Sequence, residues 1–152
     1  MEDKKSLDLI FDEARRQLKL QNRRIHSVDG KMATIGGFTG VILGIAITKQ
    51  FLDTHCLGLL KTGIIFLTSS LIFSLCASFP KKYREDPNSK VLEEDYIEKD
   101  EATTKRQILS NYNESYVENE KILKNKVLLG KFSIITLIIG LLFIIINFFI
   151  GG

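Results

Sequence analysis

Charge is missing from three stretches of this 152-residue chain, Met32 to Ile47, Thr62 to Phe79 and Phe132 to Ile150, although charged residues make up 26% of the whole. A helix needs roughly 20 apolar residues to cross about 30 Å of hydrocarbon, and each stretch approaches that length. The second and third reach about 23 residues if Lys61 and Lys131 extend their ammonium groups to the interface. Only about 17 residues lie between Lys31 and Lys49, so the first is the weakest signal. The first apolar run also begins some 30 residues in and lacks a small-residue cleavage site, so a secretory signal peptide is not expected. The chain reads as an all-α membrane protein with three transmembrane helices. Pumps and ion-coupled transporters usually place ionisable side chains within the membrane, and their absence from the spans disfavours that class.

Histidine and cysteine are also scarce, two of each. His26 lies on the amino-terminal arm and His55 beside Cys56, so at most Asp53, His55 and Cys56 could form a metal trio, with no second cluster at the spacing a closed site requires. There is no glycine-rich phosphate loop and no nucleophile motif. Neither an enzyme nor a bound cofactor or metal is expected. In the topology derived below, Cys76 lies in the cytoplasmic half of the second span and Cys56 in the outer loop, so most of the membrane separates them and they cannot pair with each other. Pairing of Cys56 with its copy in an oligomer stays open, beside a buried or free thiol. The formal net charge of +3 comes from acidic and basic residues that nearly balance in the arms, so nothing resembles a nucleic-acid surface.

Basic residues set the orientation. Nineteen of the 21 lysines and arginines precede Met32 or fall between Pro80 and Lys131, leaving only Lys49 and Lys61 beside the first loop. The positive-inside rule places that majority in the cytoplasm, with the amino terminus inside and the carboxyl terminus outside. The expected organisation is a cytoplasmic helical arm (1–31), transmembrane helix 1 (32–52), a short outer loop (53–56), transmembrane helix 2 (57–79), a cytoplasmic loop and charged helix (80–127), transmembrane helix 3 (128–150) and an outer terminus (151–152).

The amino-terminal arm carries a heptad seam through Leu7, Phe11, Ala14, Leu18, Gln21, Ile25, Val28 and Met32. It runs into the first span with no proline between, and Asp29 and Gly30 are the expected site of a kink. Arg15, Arg16, Lys19, Arg23 and Arg24 lie on the opposite face and suit anionic headgroups. After Pro80, the segment from Lys81 to Lys90 reads as a loop, with Ser89 a fair N-cap. The acidic residues Glu93, Glu94, Asp95, Glu98, Asp100 and Glu101 suit the positive end of the helix that follows. Leu109, Tyr112, Tyr116, Asn119 and Leu123 step by three and four along that helix, which continues into the third span. Neither stripe is stable alone in water, so the two arms pair, within a chain or between chains. Gln21 and Asn119 fall within the seams, where buried amides often select register.

Inside the spans the informative residues are small. Gly36, Gly40 and Gly44 recur every four residues on the first, Ser70, Ser74 and Ser78 on the second, and Ser133, Thr136, Gly140 and Asn147 share a face of the third. Small residues let helix backbones approach closely in lipid, where no hydrophobic effect drives helices together. They serve packing inside one monomer, contact between protomers or a pore face.

The segment Arg23, Arg24, Ile25, His26, Ser27, Val28, Asp29, Gly30, Lys31, followed by the glycine-rich Ile35 to Gly44, resembles the start of small bacterial transmembrane effector domains of the Pycsar effector and SLATT type. Tyr116, Asn119, Lys124 and Lys126, before the third span, are similar to theirs. The resemblance implies an antiphage role in which the inner membrane is impaired when a nucleotide second messenger is made during infection. The arms contain no recognisable cyclic-nucleotide-binding domain, so a sensor protein or a composite site between protomers would be required. The leading expectation is a homo-oligomeric inner-membrane effector in contact with the lipid bilayer. The rivals are a non-toxic scaffold or accessory subunit and, third, a channel or transporter subunit.

Overall fold

The structure is a computed structural model that describes residues 2–52, 57–81, 83 and 100–151. Three helices account for nearly all of them: α1, Glu2–Leu52; α2, Leu57–Ser78; and α3, Glu101–Gly151. Each is long and apolar enough to cross a membrane. The two long helices have 51 residues each. The helical assignment of α1 runs through Asp29 and Gly30, where a kink was expected. Glycine in a helix interior costs about 0.5–1 kcal/mol relative to alanine, which the helix absorbs without interrupting its backbone ladder. Pro80, which has no N–H to donate, follows the end of α2 closely. Asp53, His55 and Cys56, together with Ser89, Glu93, Glu94, Asp95 and Glu98, lie outside the described residues.

The chain divides into two compact units. An arm unit comprises Met1–Ile25 and Lys81–Leu123, and a span unit comprises His26–Pro80 and Lys124–Gly152.

In the arm unit, α1 packs on α3 of the same chain. Leu18 and Ile25 are buried, as are Tyr112 and Leu123 opposite. The rings of Phe11 and Tyr112 lie 5.7 Å apart in a tilted arrangement. Burial of these side chains supplies the stabilisation that an isolated helix in water lacks.

The span unit packs three helices, and glycine sets how closely they meet. A Cβ placed on Gly63 of α2 would lie 3.2 Å from the Gly140 carbonyl oxygen of α3, and one on Gly140 would lie 3.1 Å from the Gly63 carbonyl oxygen. These two glycines mark a backbone-to-backbone crossing. Gly130 faces the Met32 sulfur, 2.8 Å from the position of an added Cβ. Beside the crossing, Phe66 stacks on Phe143 at 5.8 Å, and farther along the same helix pair Phe73 meets Phe132 at 6.0 Å. Large apolar side chains point outward instead, among them Ile65, Ile72, Ile135, Ile138, Leu142 and Phe149.

Gly140→Val is expected to cost about 1–3 kcal/mol, because backbone and a packed leucine stand where its side chain must go. Gly40→Ala, where an added Cβ meets nothing within 4 Å, should change stability by no more than about 0.5 kcal/mol. Unfolding of the purified protein in detergent micelles measures both.

Candidate functional site

The packed face of α3 follows one rule from end to end. Lys105, Tyr112, Asn119, Lys126, Ser133, Gly140 and Asn147 recur every seven residues. All are buried except Lys105, which is partly so. The corresponding line on α1 is Leu18, Ile25, Met32, Thr39 and Ala46, again all buried. On α2 the buried positions are Leu60, Gly63, Leu67, Ser70, Ser74 and Ala77. A helix under-wound to a 3.5-residue period keeps such a line facing its neighbour.

In the arm unit this line is polar at its start. The Lys105 ammonium donates to Asp8 Oδ1 at 2.6 Å and to Glu101 Oε1 at 2.7 Å. Those hydrogen bonds, first the one to Asp8, raise the Lys105 pKa beyond the ordinary lysine range. A raised lysine pKa stabilises the fold below about pH 10.4 and loses that effect only at higher pH, so the tie is unchanged from neutral to mildly alkaline solution. Gln21 donates from Nε2 to the Tyr116 carbonyl at 3.0 Å and to Glu120 Oε2 at 3.1 Å, while its own buried Oε1 has no hydrogen-bond partner. Leu109 and Tyr116 are half-buried. On the flank of the α1–α3 pair is a groove of about 580 Å³, whose lining includes Gln17, Arg106, Tyr112, Asn113 and Tyr116.

In the span unit the same line becomes hydroxyl, glycine and amide. Ser70 Oγ donates to the Ser133 carbonyl at 2.8 Å, and Ser133 Oγ donates to the Ser70 carbonyl at 2.9 Å. Each serine thus bonds the backbone of the opposite helix. Ser74 Oγ donates to the Met32 carbonyl of α1, which ties the remaining helix in. Asn147 is 6% exposed, and its Oδ1 has no hydrogen-bond partner.

Lys126 carries the one buried charge among the described residues, 1% exposed. Its Nζ donates to Asp29 Oδ1 of α1 at 2.5 Å and to the Phe79 carbonyl at 3.2 Å, one residue beyond α2. In sequence Lys126 is one of several basic residues of the charged segment; the packed line of α3 turns it inward. Its seven-residue distance from Ser133 and from Asn119 is the signal that identifies it.

The small residues singled out from sequence separate into two groups. Gly36 faces Ser74, whose Oγ lies 2.9 Å from the position of an added Cβ, whereas Gly40 and Gly44 have nothing within 4 Å. Ser70, Ser74, Ser133, Gly140 and Asn147 lie on packed faces. Ser78 does not: its hydroxyl bonds the Leu75 carbonyl of its own helix. A helix seam advances by alternate steps of three and four, so a strict four-residue stripe rotates off it; Ala77 is buried in place of Ser78. Gly63 and Gly130, which pack as closely as any, share no four-residue spacing with another glycine. Among the described residues no group of His, Cys, Asp and Glu could hold a metal ion.

Three helices long and apolar enough to cross a membrane, with polar residues on their packed faces and charged arms on two of them, define a small helical membrane protein. The Pycsar effector protein domain (PycTM) matches residues 13–151, nearly the whole chain, and the protein belongs to that family. Membership makes it an effector of antiphage defence that acts at a membrane. No curated protein and no solved structure matches it.

Ser70→Ala and Ser133→Ala should each cost about 0.5–1.5 kcal/mol. The double variant should cost less than their sum, because the two hydroxyls also meet at 3.2 Å, a contact that either single variant already removes. A double-mutant cycle on unfolding in micelles reads the coupling.

Proposed function

We propose that the protein is an oligomeric effector of the bacterial inner membrane that permeabilises the bilayer when its arms, on the cytoplasmic side, receive a signal. The observation that carries this reading is the polar interior of the span unit in a chain of the Pycsar effector family. Buried Thr39, Ser70, Ser74, Ser133 and Asn147 are compatible with water once the helices part, whereas an all-apolar interior is not. The surplus of lysine and arginine on one side of the spans supports the cytoplasmic placement of the arms.

Two further features support the proposal. Gly37, Gly40 and Gly44 of α1 face open space, next to the exposed Phe38, Val41 and Ile45. A second helix can approach bare backbone there, which suits contact between protomers. The lining of the groove on the arm unit includes Arg106, Tyr116, the largely buried Tyr112, and the amides of Gln17 and Asn113. That combination offers a partner to a phosphate, faces to a planar base and donors and acceptors to its edge, so a nucleotide second messenger is the signal it suits best.

Induced expression with the trigger is expected to collapse the membrane potential in a dye assay. Gly40→Leu should weaken the collapse with monomer stability unchanged, and Arg106→Ala should raise the trigger concentration required. Full polarisation under all such conditions, with one foreign protein copurifying stoichiometrically, would favour the scaffold reading instead.

A further inference from the structure

One ammonium group joins all three helices of the span unit. Lys126 extends from α3 to a carboxylate of α1 and to the carbonyl just past the end of α2, where the helix dipole is negative. The contact is asymmetric, because the lysine side chain is 1% exposed and the Asp29 side chain 25%. Water and competing groups reach the acid and not the base.

The energetics of such a pair differ from those of an apolar contact. Two well-packed apolar side chains would hold the helices equally well or better, whereas removing one member of a buried pair leaves an unpartnered charge at heavy cost. An ion pair therefore gives an arrangement that is firm while both charges are in place and strongly disfavoured when one leaves. Its position in the chain matches that property. Asp29 lies four residues past Ile25 on α1, and Lys126 lies three residues past Leu123 on α3, each just inside the span unit on a helix that is continuous from the arm. Rotation of either helix about its axis moves one charge and not the other.

We infer that the Lys126–Asp29–Phe79 contact is a latch that holds the spans in their resting arrangement, and that its rupture is the step that releases them. The existence of the latch is independent of the effector reading; what its release does to the bilayer rests on that reading.

The test uses the full chain with Cys56→Ser and Cys76→Ser, carrying Gly36→Cys and Ser74→Cys. The Cβ positions of residues 36 and 74 lie 3.6 Å apart, within the span of a disulfide. In oxidised membranes the parent should cross-link nearly completely. Asp29→Asn should lower the yield by about half or more, since it leaves the buried Lys126 ammonium without its counter-charge, and Lys126→Met, which leaves an acid that water reaches, should lower it by less. The same cells should depolarise without any trigger. The double exchange Asp29→Lys with Lys126→Asp should recover most of the cross-linking even where a single variant inserts poorly. Single variants that cross-link like the parent, or an exchange no better than the singles, would overturn the latch. Reduced cross-linking in cells that stay polarised would uphold the latch and defeat the permeabilising reading.

Discussion

Within lipid, apolar side chains gain nothing by facing each other instead of the surrounding acyl chains, and this constraint governs the span unit. An inward face has to be distinguished by something other than hydrophobicity. Here it is distinguished by bare backbone at Gly36, Gly63, Gly130 and Gly140, by hydroxyls at Ser70, Ser74 and Ser133, and by the single charge of Lys126. The bulky residues are left to the outside. In the arm unit, where water competes, the ordinary arrangement returns, and Leu18, Ile25 and Leu123 go inward. The two long helices therefore change the chemistry of their packed face along their length while keeping its geometry.

That change explains what could be read in the sequence. The three spans were legible because uncharged runs of helix length have few other uses. The arm seam was legible too, since Phe11, Leu18, Ile25 and Tyr112 stand out as apolar residues in a charged background. Within the spans the contrast disappears. Every position is apolar or small there, so spacing alone cannot separate a packed glycine such as Gly36 from an open one such as Gly40. The four-residue serine stripe went astray at Ser78 for the same reason, because no polar background marks where the face turns.

The inward placement of Lys126 is hard to read from composition for the opposite reason. In a segment dense with lysine and glutamate, one more cation carries no contrast. What marks it is register: extending the seam of Tyr112 and Asn119 by seven residues arrives at Lys126, and by seven more at Ser133. A repeat followed through the boundary between charged and apolar sequence is more informative than either composition alone. The groove beside Arg106 had no such marker, because its walls come from residues far apart in the chain.

The paired serines have a mechanical consequence. Each hydroxyl bonds the carbonyl of the other residue, so the two bonds fix α2 and α3 at one axial position. Sliding by a helical turn would break both at once, while a swing about that point need break neither. The pair is a fulcrum: the end carrying Lys126 and the end carrying Gly63 and Gly140 are opposite sides of one lever, and α2 and α3 can splay at the first while staying closed at the second.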